Sequence, residues 1–275
     1  MRIAVLGLGA MGSRIAARLL DRDHEVVVWN RTPTKAVPLI ERGATGADSP
    51  SDAAARSDAV ITMVTDPAAL QSVLSGVPSD TTVIQMSTVG PRAVEELDFP
   101  RLLDAPVLGS IGEVEAGTLR IFVGGAPELV ERWTSLLSEL GTPIRVGDIG
   151  AGSAAKLVAN ATLLGSTALL GESLALGESL GLGDRIWDVL AVTPLAQVAE
   201  RRRPAFESGE YEPRFALSLA RKDADLVLEA AGGIDLRVIE AVRRWLADAE
   251  AAGLGAADHA AVLSQVLARK EPPVP

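Results

Sequence analysis

The sequence contains no cysteine and only two histidines among its 275 residues, and aromatic residues make up only 3% of it. The absence of cysteine excludes disulfides, cysteine nucleophiles and thiolate metal sites. His24 and His259 alone cannot form a histidine metal cluster, so we predict no metal site. The formal net charge of -10 argues against a nucleic-acid partner and disfavours an anionic membrane surface.

The length and the 48% hydrophobic fraction suffice for two modest domains with a substantial core. Short apolar strands alternate with helical patterns up to about residue 150, and strand signals vanish after it. This order predicts a doubly wound, mainly parallel α/β sheet in residues 1–150 and an all-helical domain in residues 151–275, joined by one long helix.

The predicted strands are 2–6, 25–30, 58–64, 81–87, 102–107, 119–123 and 144–146. The predicted helices include 128–140, 151–180, 185–191, 195–207, 217–231, 236–252 and 256–268. The tail, Glu271–Pro275, is rich in proline, and we predict no regular structure there.

The N-terminal segment has the pattern of a dinucleotide-binding unit. An apolar strand at 2–6 leads into a G-x-G-x-x-G loop, and a helix and a second strand follow. The first glycine permits the tight turn, the second lets backbone amides approach a pyrophosphate, and the third lets the helix pack on the strand. The alternative is a glycine-rich structural turn. The predicted contacts are Gly7, Leu8, Gly9, Ala10, Met11 and Gly12.

The end of the second strand selects the nucleotide. An NAD site usually places a carboxylate there to bind the ribose 2′-hydroxyl. This chain instead has Asn30, Arg31 and Thr32, with Lys35 one turn later. Arginine can bind a 2′-phosphate with two hydrogen bonds. We therefore predict NADP(H); the alternative is that these are ordinary solvated charges.

The long helix carries the candidate catalytic residues. Lys156 and Asn160 are four residues apart and share one helical face. A lysine in an apolar helix is costly unless it has a partner or a task. The helix N-terminus and a cationic nicotinamide would both disfavour its charge, which suits proton transfer. The alternative is a lysine that simply reaches solvent.

The same helix contains Glu172 and Glu178, so we predict a buried helix and no membrane span. It is apolar on more than one face and rich in small residues, which permit close helix contacts. We predict a homodimer, or a higher oligomer built from dimers; the alternative is a core helix of a single chain. Because the N-terminus enters a strand at once, we expect no signal peptide and a cytoplasmic protein.

Further motifs extend over nearly the whole chain. Besides the glycine loop they are Met86-Ser87-Thr88-Val89-Gly90-Pro91, Asp104-Ala105-Pro106-Val107, Ala116-Gly117-Thr118-Leu119, Gly152-x-x-x-Lys156-x-x-x-Asn160, and later Phe215, Lys222-Asp223 and Asp258. With these motifs the chain resembles the β-hydroxyacid dehydrogenase family, which includes 3-hydroxyisobutyrate dehydrogenases and tartronate semialdehyde reductases. Imine reductases are a related group. The resemblance implies a Rossmann domain, an all-α domain and contacts between subunits through the long helix.

By this resemblance, Lys156 is the proton donor in carbonyl reduction, and Asn160 holds the substrate or the lysine. Thr88 lies beside the nicotinamide and the substrate, while Phe215 and Lys222 close over the nicotinamide end.

Other residues are less specific. Val64 and Thr65 complete the predicted cofactor contacts, and we expect a structural role for Asp258. The alternative for Lys222-Asp223 is a surface ion pair. For the run 201–203, three arginines, we predict a solvated helix face rather than an anion site, and for His259 a helix residue without a chemical role.

The predicted substrate loop departs from the family pattern. After Asp-Ala-Pro-Val the family usually continues with Ser-Gly-Gly, whose hydroxyl and amides hold a carboxylate. Here Leu108, Gly109 and Ser110 follow, and Glu113 occupies a position that is usually small. We therefore predict a substrate that is bulkier or less acidic than a small hydroxy acid, either a carbonyl compound or an imine.

Three functions follow in order of preference. The first is an NADPH-dependent β-hydroxyacid dehydrogenase-type reductase that uses Lys156. The second is an imine reductase on the same scaffold, although those enzymes usually lack the lysine. The third is a non-catalytic NADP-binding scaffold, whose expected sign would be loss of that lysine.

Overall fold

The structure, a computed structural model, describes residues 1–268; the tail for which we predicted no regular structure lies outside them. The chain divides into two compact units, residues 1–157 and the part from residue 158 onward. This division falls inside one continuous helix, which begins at Ala151, next to the predicted domain boundary.

The first unit contains nine strands: β1 (Arg2–Leu6), β2 (Glu25–Trp29), β3 (Thr45–Gly46), β4 (Ala59–Thr62), β5 (Val83–Gln85), β6 (Leu102–Asp104), β7 (Val107–Leu108), β8 (Leu119–Gly124) and β9 (Gly141–Gly147). Its helices are α1 (Ala10–Leu20), α2 (Val37–Glu41), α3 (Pro50–Ala55), α4 (Pro67–Leu74), α5 (Pro91–Glu95), α6 (Ile111–Ala116) and α7 (Pro127–Leu140), with a 3-10 turn at Pro33–Ala36.

The strands form one sheet in the order β3-β2-β1-β4-β5-β6-β8-β7, with β9 paired to β8. The first six are parallel, and their order is that of a Rossmann fold. β8 runs antiparallel to β6 and β7. The predicted α/β class is therefore confirmed. One detail was wrong: the predicted strand 102–107 is two strands, interrupted at Ala105-Pro106, because proline lacks the N–H that a sheet requires.

The sheet separates two cores because alternate residues of each strand face opposite sides. Ile3 and Val5 pack in the cluster that also contains Ile15 of α1 and Trp133 of α7. Ala4 and Leu6 pack in the cluster on the opposite face of the sheet, which also contains Leu70 of α4. Burial on both faces explains why these strands are continuously apolar.

The second unit is helical. It contains most of α8 (Ala151–Ser179), then α9 (Ile186–Leu190), α10 (Ala196–Ser208), α11 (Leu217–Ala230), α12 (Arg237–Ala249) and α13 (Val262–Ala268), with 3-10 turns at Gly183–Arg185 and His259–Ala261 and a π-helical turn at Glu250–Leu254. Its core includes Leu170, Leu174, Trp187, Leu190 and Leu263.

α8 is long and apolar enough to span a membrane by length and composition, with 44% of the relevant window buried. Core helices of soluble proteins meet the same criteria. The helix approaches its neighbours closely at Gly171, beside Leu263 and Val266, and at Gly177, beside Ile186. These contacts account for small residues inside a helix, where glycine otherwise costs about 1 kcal/mol.

Candidate active site

The loops that could hold a cofactor meet at the carboxyl edge of the parallel sheet. Leu6, Thr62, Gln85 and Asp104 occupy equivalent positions on neighbouring strands. The residues that follow these strand ends therefore lie along one edge of the sheet. Such an edge is where open α/β sheets bind their ligands.

The glycine loop has the shape that its spacing predicts. Gly7 has a φ of +100°, and a Cβ there would lie 2.3 Å from the Met63 carbonyl oxygen. A Cβ on Gly12 would lie 2.0 Å from the carbonyl oxygen of Gly7. Gly9, by contrast, is exposed, and a Cβ at this position would have no other atom within 4 Å. It precedes the first turn of α1, and the backbone N–H groups of a helix N-terminus are suited to bind a pyrophosphate.

Asn30 connects the end of β2 to the glycine loop. Its Oδ1 accepts a 2.8 Å hydrogen bond from the Leu8 amide, and its Nδ2 donates to the carbonyl oxygen of Thr32. Arg31, Thr32 and Lys35 follow as exposed residues. Three cationic or hydroxyl side chains thus lie just beyond the loop, where an adenosine ribose would be expected.

A buried polar network positions the loops after β4 and β5. The Ser87 hydroxyl accepts a 2.8 Å hydrogen bond from the Val64 amide and donates to the Thr62 carbonyl oxygen at 3.3 Å. The Gln85 side chain bonds to both the amide and the carbonyl of Ser87. Sequence reasoning missed this network, although alternating polar residues in an otherwise apolar strand were its signal.

The three cofactor-contact candidates from these loops are Val64, Thr65 and Thr88. Thr65 is exposed and its hydroxyl donates to Asp66, while Val64 and Thr88 are half-buried. The network holds Val64 directly and Thr88 through the adjacent Ser87. All three residues follow strand ends at the same sheet edge as the glycine loop.

α8 begins against the end of β6. The Asp104 carboxylate accepts 2.7 Å hydrogen bonds from the Ser153 amide and the Ser153 hydroxyl. Asp104 is 0% exposed, and burial raises its pKa to about 6, against the lowering effect of these hydrogen bonds. Lys156, also buried, lies three residues further along the helix. Asp104 belonged to a motif quoted above, but we had assigned it no role.

Asn160 lies in the second unit, one turn after Lys156. Its Nδ2 donates a 2.6 Å hydrogen bond to Asp223 of α11. Lys222 Nζ lies 2.7 Å from the other carboxylate oxygen of Asp223. The ion pair between Lys222 and Asp223 that we gave as the alternative is therefore present, but Asp223 is only 2% exposed, so its carboxylate does not lie at the surface. The structure therefore brings Asn160 and Lys222 together around one buried carboxylate.

Phe215 precedes α11 and is held by a second buried cluster. The Asp258 carboxylate accepts hydrogen bonds from the Arg214 and Phe215 amides at 3.1 and 3.0 Å. The ring centroids of Phe215 and His259 are 5.2 Å apart. Asp258 thus has the structural role that we expected, because it holds the segment that ends in Phe215.

The same cluster corrects the prediction of a solvated arginine face. Arg201 and Arg203 are exposed, but the Arg202 side chain is only 12% exposed and lies 3.2 Å from Asp258. It also contacts His259 Nε2 at 2.9 Å. Desolvation, and then Arg202, lower the pKa of His259 to about 4. His259 is therefore neutral at physiological pH and accepts from the guanidinium.

The acidic residue of the predicted substrate loop forms hydrogen bonds within the loop. Glu113, in the first turn of α6, accepts hydrogen bonds from the Ser110 amide at 2.8 Å and the Ser110 hydroxyl at 2.7 Å. Gly109 has a φ of +138°, and a Cβ there would lie 2.7 Å from Leu119. Leu108 is half-buried in β7, opposite Arg120 of β8. Both donors of Ser110 are thus used within the loop.

A metal site has no support in the part of the chain that the structure describes, where no group of three or more His, Asp or Glu side chains could hold an ion.

Comparisons with known proteins agree with this architecture. Residues 2–150 match the model of the NAD-binding domain of 6-phosphogluconate dehydrogenase, and residues 150–266 match the model described as NAD-binding of NADP-dependent 3-hydroxyisobutyrate dehydrogenase. The chain is 32% identical to a 3-sulfolactaldehyde reductase of Escherichia coli strain K12, over 96% of this chain and 95% of that protein.

Solved structures give the same result. A 3-hydroxyisobutyrate dehydrogenase of Mycobacterium tuberculosis with L-serine has a TM-score of 0.86 at 28% identity, covering 96% of this chain and 98% of that one. An imine reductase from Pseudomonas sp. is more distant, with a TM-score of 0.63 at 25% identity over 96% and 98%. These matches confirm the resemblance, and they indicate an oxidoreductase with a nicotinamide cofactor. The chain belongs to the β-hydroxyacid dehydrogenase family.

Proposed function

We propose that the protein is an NADPH-dependent reductase that converts a small semialdehyde or keto compound into the corresponding alcohol, with Lys156 as the general acid. The observation that carries this proposal is Lys156 itself. It is a 9% exposed lysine on the helix that begins at the sheet, in the same compact unit as the glycine loop. A buried lysine suits proton transfer because its surroundings can alter its proton affinity.

The chain's own residues would hold NADPH along the sheet edge. The open face at Gly9 and the first turn of α1 would receive the pyrophosphate. Arg31, Thr32 and Lys35 would bind the 2′-phosphate, since no carboxylate follows Asn30 to repel it. Thr88 would lie at the nicotinamide end, and Lys222 would complete the contacts from the second domain.

Reduction of a carbonyl adds a hydride to carbon and a proton to oxygen. The bound nicotinamide supplies the hydride. Lys156 would donate the proton from Nζ to the carbonyl oxygen, and would accept it in the reverse direction. Asn160 would hold the substrate through its amide, whose orientation Asp223 sets. Burial of the lysine keeps this proton transfer away from bulk water.

The substrate loop favours a substrate that is bulkier or less acidic than a small hydroxy acid. A carboxylate substrate would need free donors in this loop, but Glu113 already occupies the amide and the hydroxyl of Ser110. Leu108 adds apolar volume beside them, and Phe215 is a further candidate for apolar substrate contact. The negative charge of Glu113 would also repel the carboxylate of such a substrate.

An imine substrate is the second candidate, and the same loop favours it. Because Glu113 occupies both donors of Ser110, the loop suits a neutral or cationic C=N group as well as an apolar carbonyl. The presence of Lys156 argues for the carbonyl, because a protonated imine needs no proton donor at the reacting atom.

We further propose a homodimer in the cytoplasm. The exposed apolar side chains Val158, Leu169 and Leu176 lie on one face of α8, where a second copy could cover them. Sedimentation that finds only monomers at micromolar concentration would contradict the dimer.

The first test is NADPH consumption with short semialdehydes, α-ketoacids, apolar aldehydes and cyclic imines, using the natural sequence, Lys156→Ala and Lys156→Arg. We expect turnover of carbonyl compounds that Lys156→Ala reduces to a small but measurable residual rate without weakening NADPH binding. Lys156→Arg keeps the positive charge but should not restore the rate, because the guanidinium group stays protonated. Undiminished turnover by Lys156→Ala would remove the lysine from the mechanism, and turnover of imines alone would favour the second candidate.

A further inference from the structure

Asp104 is a completely buried carboxylate at the end of β6, and the proton-transfer step described above makes no use of it. It is 0% exposed, and its two oxygens accept from the amide and the hydroxyl of one residue, Ser153, each at 2.7 Å. Two donors at the start of one helix therefore converge on a single side chain from the sheet.

The first turn of α8 packs directly against the end of β6 and the second half of β8. A Cβ on Gly152 would lie 2.3 Å from the Asp104 carbonyl oxygen and 2.6 Å from that of Phe122. The start of the helix therefore cannot move toward the sheet, and the Asp104 hydrogen bonds keep it from moving away. Ser153 and Lys156 are three residues apart, so they lie on the same helical face, one turn from each other.

We propose that Asp104 is a positioning residue that acts through Ser153 to fix where Lys156 presents its amino group. This inference rests on the proposed role of Lys156 as the proton donor. Asp104, the first residue of the Asp104-Ala105-Pro106-Val107 motif, would thus support the same proton transfer as Lys156, although the two residues are distant in sequence.

The choice of a carboxylate at this position is costly, which argues for a specific task. A Ser, Thr, Asn or Asp directly before the helix is the ordinary way to satisfy a helix N-terminus, whereas Asp104 is 49 residues away from Ser153 in the sequence. A buried carboxylate loses its hydration, and desolvation raises the Asp104 pKa to about 6. Glu95 of α5, an exposed carboxylate beside Gly150, adds a further unfavourable charge. In return, the two oxygens fix both the position and the rotation of the turn, because each holds a different group of Ser153.

The test uses four single variants of the full chain. Asp104→Ala removes the anchor, Asp104→Asn keeps an acceptor for the Ser153 amide, and Ser153→Ala removes one of the two bonds. Glu95→Gln is the matched control, because it removes a nearby negative charge and leaves both hydrogen bonds between Ser153 and Asp104 in place. For each variant, kcat, KM, NADPH affinity and thermal stability are measured with the best carbonyl substrate of the panel.

We expect Asp104→Ala to lower kcat by about tenfold or more, because a displacement of about 1 Å can cost roughly a hundredfold. NADPH affinity should stay the same. Asp104→Asn should restore most of the rate, Ser153→Ala should lose about threefold to tenfold, and Glu95→Gln should match the natural sequence. If Asp104→Ala does not fold, Ser153→Ala and Asp104→Asn still test the same bonds.

A double-mutant cycle with Lys156→Ala distinguishes an effect of Asp104 on the position of Lys156 from a general disturbance of the folded structure. If Asp104 acts through the lysine, Asp104→Ala or Ser153→Ala causes no further loss of kcat in the Lys156→Ala background. Losses that multiply in that background, or a parallel loss of NADPH binding, would overturn the inference. Full activity of Lys156→Ala would instead overturn the proposed function, so the two failures are distinguishable.

Discussion

The side-chain amide of Asn160 donates a 2.6 Å hydrogen bond to the buried carboxylate of Asp223, which also lies 2.7 Å from Lys222 Nζ. A carboxylate only accepts, so this bond orients the amide with Nδ2 toward Asp223. Within residues 1–268, the Asn160 Oδ1 atom is buried and has no hydrogen-bond partner. This oxygen is therefore an acceptor that no contact within these residues uses.

Replacing Asp223 should impair substrate binding more than protein stability. Asp223→Asn keeps the size but can donate as well as accept, so the Asn160 amide is no longer held in one orientation. We expect kcat/KM to fall about tenfold, the value of one hydrogen bond to a charged group. Asp225→Asn is the control, because Asp225 pairs with Arg221 on the accessible side of the same helix. Equal values of kcat/KM for both variants would refute a role for Asp223.

The proposed preference for NADPH should depend on the residues after β2. Arg31→Gln should weaken NADPH binding by about tenfold or more and leave NADH binding nearly unchanged, since only NADPH carries the 2′-phosphate. Asn30→Asp should shift the preference toward NADH, because it keeps the acceptor for the Leu8 amide and adds a carboxylate for the ribose. Titration of the intrinsic fluorescence with each cofactor measures both effects, with exposed Arg22→Gln as control. Tighter binding of NADH by the natural sequence would contradict the prediction.

Two glycines of α8 should respond to alanine in opposite ways. Gly152→Ala places a Cβ within 2.3 Å of backbone oxygen, so the helix must shift, and both stability and kcat should fall. In Gly165→Ala the new Cβ would lie 3.8 Å from the Val238 side chain, which is an ordinary van der Waals contact. It should therefore stabilise the protein by about 0.5–1 kcal/mol, the helix propensity difference. Chemical denaturation of the two variants compares them directly, and destabilisation by both would show that residue 165 is also constrained.

Asp104 should make stability depend on pH in an unusual direction. Its pKa is raised from 3.8 to about 6 by burial, so the folded state holds the proton more tightly than the unfolded state. The contribution of this carboxyl to stability is therefore fully present below about pH 4 and is lost as the pH rises through about 6. One pKa unit corresponds to about 1.4 kcal/mol, so the total is about 3 kcal/mol.

Asp104→Asn removes this titration while keeping an acceptor for Ser153. The stability of the natural sequence relative to this variant should fall steadily between pH 4.5 and 7, as measured by denaturant unfolding at each pH. Glu95→Gln should show the same fall, moved slightly to lower pH, because it removes a charge that helps to raise the Asp104 pKa. A constant difference between the natural sequence and Asp104→Asn would show that Asp104 titrates normally.

Much of the first domain could be predicted because its signals are local. The strand, the glycine loop and the following helix are contiguous, and each glycine position has a direct geometric cause, as Gly7 and Gly12 show. The alternation of apolar strands and helices was sufficient for the parallel sheet. The shared face of Lys156 and Asn160 followed from the helical period alone.

Other features could not be predicted because their partners are distant in sequence. Arg202 was placed on a solvated face, since a run of three arginines carries no information about Asp258, 56 residues later. The partner of Asn160 is 63 residues away, and that of Ser153 is 49 residues away. The closure of Ser110 by Glu113 is local, and a serine followed three residues later by glutamate was the signal that we had not used.

The sequence by itself determined the type of fold, the glycine loop and the helix that carries Lys156, because periodicity and backbone conformation act over a few residues. Only the tertiary structure decided which carboxylates anchor Ser153, Asn160 and Arg202. A buried charge is stable only beside the donors that folding brings to it, and chain folding, not spacing, selects those donors.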